Sequence, residues 1–480
     1  MTPRISLSSA LAGVAVCAAL ALFAGDWLLG VAVLVLLAGV QLVWTDDGLF
    51  VLPAAYAFHW VETSIGLVYK GVFDRDVPAL YLSDYRPMVL ISLGCCLAMA
   101  IGVRLGLSLI KDRDPSGLRP EFAFPLGELV VAYLVTTSFE GTLVSVAAEY
   151  PTIRQILVTA DTARLGILFL LLRRLLRPAP RWAPITGILV LEVGLGLTGF
   201  FAGFREPLVL AALALLEIFD RRSVRHWVAL AIAGVAAVGF GLLWMGVRGE
   251  YRRNYVELDT FEKSRTARLE SMETLALDFF KGDGESTWQT ADNLVDRMWP
   301  IYYPALAVAR VPSQLPHTNG EILSAALVHI VTPRILFPDK PGLQSDSDKV
   351  RKYSGVMVAG VESNTTIAFG YAAEAYIDFG VPMMFLPVLG FGIAIGALYS
   401  LFGKLIRHHD IHVAFATVAF WLSMYLFERS WATMLGVTLG LMVYLGAPVV
   451  LLDRFLLRRS ARQQELLDTP LSDGRTSGAY

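Results

Sequence analysis

The sequence predicts an all-α, polytopic integral membrane protein of about twelve transmembrane helices with one long loop outside the cytoplasm. Three observations predict it. Of the 480 residues, 55% are hydrophobic and only 17% charged, and the mean hydropathy is +0.57, too apolar for an ordinary soluble chain. The apolar residues fall in runs near the roughly 20 residues a helix needs to cross a hydrocarbon core, where no backbone group can be left unpaired. Lys and Arg cluster between those runs in one alternating pattern, as short cytoplasmic loops require.

Taken in order, the first apolar run, 7–24, follows Arg4 as a signal peptide would. A second run at 27–44 follows at once without a convincing cleavage site, so 7–24 is expected to be a span. Further spans are expected at 49–69, 87–109, 125–147, 156–172, 184–202, 206–219, 226–247, 381–403, 411–427 and 432–452. The fifth and sixth are interrupted by Glu128, Glu140, Asp161 and Arg164. With the N-terminus inside, the inward loops carry Arg104, Lys111, Arg113 and Arg119; then Arg173, Arg174, Arg177 and Arg181; then Arg221, Arg222 and Arg225; then Lys404 and Arg407; and last Arg454, Arg458, Arg459 and Arg462. Only the turn 45–48 lacks a cation, and an error of one span would break the pattern. The expected organisation is helices one to nine over 1–247, a large outer loop with short helices over 248–380, helices ten to twelve over 381–453, and a polar cytoplasmic tail over 454–480.

Several chemistries lose their support. A net charge of −2 without a basic stripe argues against nucleic-acid binding. Cys17, Cys95 and Cys96 lie inside apolar runs and build no disulfide framework or CxxC site. No HExxH, Walker, GxSxG or zinc spacing occurs, so no metal or cofactor is expected. Asp74-Arg75-Asp76 is a DxD, a pattern common enough to arise by chance.

Charge not needed for topology marks two candidate sites. In the turn Gly203-Phe204-Arg205-Glu206-Pro207, Arg205 stands at the outer face at a helix start, suited to a lipid phosphate; an interfacial pair with Glu206 is the alternative. In Thr332-Pro333-Arg334-Ile335-Leu336-Phe337-Pro338-Asp339-Lys340-Pro341, prolines fix the backbone beneath Arg334 and Lys340, with Lys349, Arg351 and Lys352 downstream; a rigid solvated turn is the alternative. Glu362, Asn364, Thr365 and Glu374 follow. Glu374, among apolar and aromatic residues, is either a carboxylate with a raised pKa suited to proton transfer or a paired core group. His317 with Asn319 and Glu321 offers another acid or base, and His59, Glu62 and Glu192 are ionisable groups inside expected spans.

Gly203-Phe204-Arg205, Thr332-Pro333-Arg334 running into Phe337-Pro338-Asp339-Lys340-Pro341, and Asn364-Thr365-Thr366 ahead of Ala373-Glu374-Ala375-Tyr376-Ile377-Asp378-Phe379-Gly380 make the chain resemble the Wzy-type polymerases of bacterial surface polysaccharides. The resemblance covers roughly the second half, plus the pattern of spans around one long periplasmic loop. It implies a glycosyltransferase of the inner membrane with both termini cytoplasmic. Such an enzyme joins undecaprenyl-diphosphate-linked repeat units at the periplasmic face, with chain-length regulators or other assembly proteins as implied partners. Arg205, Arg334, Arg351 and Lys340 would then neutralise the diphosphate. Glu374, then Glu362 or His317, would take the acceptor proton. Trp299, Tyr302 and Tyr303 would stack on sugars, and Asn364 would contact substrate. Rival readings are an O-antigen-ligase-like transferase, a transporter or flippase of lipid-linked sugars, and a scaffold in polysaccharide assembly.

Overall fold

In lipid only a helix satisfies its own backbone, and every expected span from residue 27 onward that the structure describes is helical. The computed structural model describes residues 25–110 except 46 and 48, and 124–468 except 151, 178–179, 198–202, 220–222, 258–264, 283, 334–335, 338 and 361–365. The expected span 7–24 lies outside these residues. The order is α1 Trp27–Val43, α2 Val51–Phe73, α3 Tyr85–Leu109, α4 Leu126–Glu149, α5 Arg154–Leu176, α6 Trp182–Leu197, α7 Arg205–Leu216 and α8 Val224–Glu257. Then come α9 Arg265–Lys281, α10 Gly284–Met298, α11 Tyr302–Arg310, α12 Glu321–Val331, α13 Asp346–Ser354 and α14 Tyr371–Phe379. The chain closes with α15 Phe385–Leu405, α16 His409–Met424, α17 Trp431–Gly440, a π turn at Leu441–Gly446, and α18 Ala447–Asp468.

The described residues contain no strand. Among the described residues, five segments are long and apolar enough to cross a membrane: Tyr85–Leu109, Arg154–Leu176, His226–Arg253, Phe385–Leu405 and Trp431–Arg459. This is the composition of a membrane-embedded helical protein. Two expected domain boundaries are not breaks in secondary structure. α8 runs unbroken past 247, and α18 past 453. The described part of the long connection is largely helical, with α9 ending at Lys281 and α10 beginning at Gly284.

The tightest helix pair is α3 with α15, which cross on glycine. Gly102 and Gly106 face Gly392 and Gly396, and a Cβ on Gly396 would overlap the Val103 carbonyl oxygen. Glycine spaced by four lets two backbones approach, and close packing is what associates helices where lipid removes the hydrophobic drive. α1 and α2 also pack at α3, with Tyr56 Oη donating to the Val35 carbonyl at 2.9 Å.

The ends of the bundle carry its charge. At one end the Arg173 guanidinium bonds Glu217 at 2.7 Å and pairs with Asp410. There too the buried Asp453 accepts from the Arg407 and His408 backbones at 3.0 and 2.9 Å. Tyr399 Oη donates to Asp47 at 2.5 Å. All these residues sit in connections, or at helix ends beside them, that the charge pattern placed on the inside. Arg205, the turn after α16 and the 248–380 connection gather at the opposite helix ends. Between the ends, Arg164 donates twice to Glu192, at 2.6 and 2.8 Å, and Tyr133 donates to the same carboxylate at 2.6 Å. Interhelical pairing thus accounts for Arg164 and Glu192.

Candidate functional site

The turn 425–430 between α16 and α17 is the hub of the charged end, and α2 fastens it first. His59 meets the Met424 carbonyl through Nδ1 at 3.0 Å, which makes Nδ1 the protonated nitrogen. Nε2 therefore accepts from Tyr371 Oη, at 2.7 Å. One turn on, Glu62 Oε2 accepts from the Phe427 backbone N–H at 2.5 Å. Helix ends leave carbonyls and N–H groups unpaired, and here two buried side chains of a neighbouring helix supply partners around the end of α16.

Arginines converge on this turn from separate segments. Arg205, at the start of α7, donates to Tyr425 Oη at 2.6 Å and to Glu206 at 3.0 Å. Its guanidinium lies 5.0 Å from the centre of the Tyr425 ring, and that of Arg429 lies 4.9 Å from the same centre. Trp421 stacks on that ring at 5.0 Å. Two cations on one aromatic ring share the attraction of its face, yet the two arginines still repel each other. Arg297 of α10 makes a two-pronged contact with Glu428, at 2.8 and 3.1 Å. Three guanidiniums, of Arg205, Arg297 and Arg429, thus meet at one turn, with Glu206 and Glu428 in direct contact and Glu62 bonded to the same turn. The Arg205 side chain remains 45% exposed and that of Arg297 55%. Exposed and rigidly held guanidiniums suit a phosphate or diphosphate, because the planar fork matches its oxygens.

Glu374 reaches the same turn from below, as a paired group. It is 1% exposed. One carboxylate oxygen pairs with Lys349, and the other accepts the Trp431 backbone N–H at 2.7 Å, capping α17. Lys349 also holds Asp346 at 2.7 Å, and Asp346 accepts from Ser430 Oγ at 2.9 Å. Burial pushes the Glu374 carboxyl above the ordinary carboxylate range, and Lys349 draws it part of the way back. For Lys349, burial works against the charge, but Glu374 and Asp346 outweigh it and hold the ammonium above its ordinary value.

The other expected site residues are spread among structural tasks. Trp299 is 1% exposed, lies against Gly66 and donates to the Thr63 carbonyl at 2.9 Å. The ring expected to stack on a sugar is instead taken up by packing inside the protein. Tyr302 and Tyr303 are half-buried and pack on each other. Lys340 donates to the His329 and Thr332 carbonyls at 2.6 and 2.7 Å, closing the end of α12. Arg351 donates to the Val358 carbonyl at 2.9 and 2.6 Å. His317 Nδ1 meets the Tyr376 carbonyl at 3.0 Å. Arg334, Glu362 and Asn364 lie outside the described residues. In the DxD, Lys70 bridges Asp74 and Asp76 at 2.9 and 3.0 Å, and no group of metal-ligating side chains occurs among the described residues.

Sequence reasoning missed Arg297, Glu428 and Arg429, and gave Glu62 little weight. The signal for Glu428-Arg429 was the one used for Arg205-Glu206, a charged pair in a short turn between apolar runs on the side where topology requires no cation. Arg297 carried no such signal, since it stands in an ordinary amphipathic helix.

A family model described as Domain of unknown function (DUF8712) matches residues 126–406. The match covers more than half of the chain, which therefore belongs to this family. No curated protein and no solved structure matches the chain.

Proposed function

We propose that this DUF8712 protein is a glycan polymerase of the bacterial inner membrane. On this reading it crosses the membrane about twelve times with both termini in the cytoplasm. It joins oligosaccharide repeat units carried on undecaprenyl diphosphate at the periplasmic face, where the hub lies. The observation that carries the reading is the convergence of Arg205, Arg297 and Arg429 on one turn at one end of a membrane-embedded bundle. It is supported by the charge pattern, which assigns all the contributing connections to the non-cytoplasmic side.

The chemistry needs two things. An acceptor hydroxyl attacks the anomeric carbon of the donor sugar, the bond from that carbon to the diphosphate oxygen breaks, and lipid diphosphate leaves with the bonding electrons. The arginines stabilise the charge gathering on the leaving group. The proton of the hydroxyl must pass to a base. Glu374 has both oxygens engaged, and on this reading Glu62, which is bonded to the turn itself, takes the role. One Glu62 oxygen is fixed by the Phe427 backbone N–H, on the turn that Arg205 and Arg297 also contact.

Reconstitution with a lipid-diphosphate-linked repeat unit tests the reading. Wild type yields products longer than one unit. Arg205→Ala and Arg429→Ala each slow the reaction by about 10²–10³, the loss typical of one preorganised donor. No extended product from the wild type, or normal product from both variants, overturns it. Deletion in cells separates polymerase from ligase: single units accumulate on the carrier in the first case, long lipid-linked chains in the second.

A further inference from the structure

α12 is an apolar helix inside the long connection, and its surroundings are unlike those of a helix in water. It packs along α17, with Ile330 reaching Gly436 in the second turn of that helix. α17 opens the membrane-crossing segment Trp431–Arg459, so this part of α12 lies level with apolar span rather than above it. Its far side is bare: Val328 is 61% exposed, Val331 67%, and beyond the helix end Leu336 is 71% and Phe337 50% exposed. An apolar patch of this kind marks a contact surface.

Both ends of α12 are closed by charged groups from elsewhere in the chain. At the start, the fully buried Asp378 accepts the Ile322 and Leu323 backbone N–H groups at 3.1 and 2.9 Å, along with the Thr318 hydroxyl. At the end, the Lys340 ammonium holds two carbonyls. Water would serve these groups at a solvated helix, whereas in lipid every one must find a protein partner. An anion at the N-terminus and a cation at the C-terminus also match the helix dipole. Eleven residues span about 16 Å at 1.5 Å each, roughly half of a hydrocarbon core.

We propose that α12 is a re-entrant helix, embedded in the leaflet on the hub side, with Val328, Val331, Leu336 and Phe337 against lipid acyl chains. The connection between α8 and α15 thereby returns to the bilayer instead of lying wholly outside it. This inference stands independently of any glycan chemistry.

The test uses the full chain in phosphatidylcholine/phosphatidylglycerol nanodiscs. Nitroxide labels are placed singly at Val328→Cys, Val331→Cys and Leu336→Cys in a Cys17→Ala background; Cys95 and Cys96 are buried. Met357→Cys and Tyr81→Cys, at positions 81% and 76% exposed, serve as aqueous references. Collisions with dissolved oxygen, relative to a water-soluble nickel chelate, are expected to be several-fold more frequent at the α12 positions than at the references. Leu336 lies past the helix and reports even where a label within α12 disturbs packing. Chelate collisions equal to those at Met357 overturn the proposal, as does spin–spin broadening that reveals a second copy of the chain on this face.

Discussion

Removing the ammonium of Lys349 is the sharpest probe of how the hub is built. The cation is 8% exposed at its side chain and sits between Glu374, 1% exposed, and Asp346, 16% exposed. Lys349→Met keeps most of the volume but leaves two carboxylates facing each other out of water. Breaking one side of a buried pair costs about 3–5 kcal/mol, because the partner stays charged without compensation. At 1.36 kcal/mol per decade, that is roughly two to four decades in the folding equilibrium. Glu374→Gln removes the opposite charge while Asp346 still balances Lys349, so it should cost less. The double variant Lys349→Met/Glu374→Gln should recover part of the loss, giving a coupling energy of about 0.5–3 kcal/mol. The pH dependence has a definite sign. Burial already raises Glu374 and Lys349 opposes that rise, so without the lysine the folded-state pKa climbs further above the unfolded value. A raised carboxyl contributes its stability below the unfolded pKa and loses it as pH rises through the folded one. The Lys349→Met deficit should therefore be largest at neutral pH and shrink toward acid. The assay is thermal unfolding of detergent-solubilised single and double variants across pH. Costs that add to within about 0.5 kcal/mol, or a deficit that grows toward acid, would refute the paired geometry.

Gly396→Ala should separate α3 from α15 and cost about 1–3 kcal/mol by overpacking, seen as a lowered unfolding temperature; Gly390→Ala, whose Cβ would meet nothing within 4 Å, is the silent control. Asp378→Ala should cost about 2 kcal/mol, the upper range for a lost cap, with α12 as the first segment to exchange amide hydrogens. Hydrogen bonds from Arg75 hold Asp292 below its ordinary pKa of 3.8. The tie from the end of α2 to α10 thus contributes above that pH and weakens as pH falls through the lowered value. Protease access to α10 should rise there in wild type and already at neutral pH in Asp292→Asn.

Much of the helical framework was legible in the sequence, because lipid leaves the backbone a single way to satisfy itself and the cost of burying charge marks many of the turns between helices. The expected spans 87–109 and 156–172 correspond to Tyr85–Leu109 and Arg154–Leu176 within a few residues. Arg205 was legible for the same reason, as a cation with no topological task. What pairs with it was not. Tyr425, Glu428 and Arg429 lie some 220 residues further on, and composition says nothing about which turns meet. The tasks of Lys340 and Arg351 were hidden for a related reason, since prolines and charge identify a rigid turn equally well whether its cations face a ligand or the carbonyls of a neighbouring helix. Trp299 misled because aromatic character suits a sugar platform and a glycine notch alike, and only Gly66 on α2 decides between them.

The glycine-lined contact of α3 with α15 also fixes an order of events at the ribosome. Ser400 Oγ reaches the Leu107 carbonyl across 293 residues of chain. At about 5–20 residues per second, α3 waits roughly 15–60 s for the helix it matches. Throughout that interval its bare glycine groove is open to lipid or to other nascent helices. The stretch bearing Arg297, α12 and Glu374 emerges before the groove is filled and the turn 425–430 emerges after it, so the charged end can take shape only once both helices of the scaffold are made.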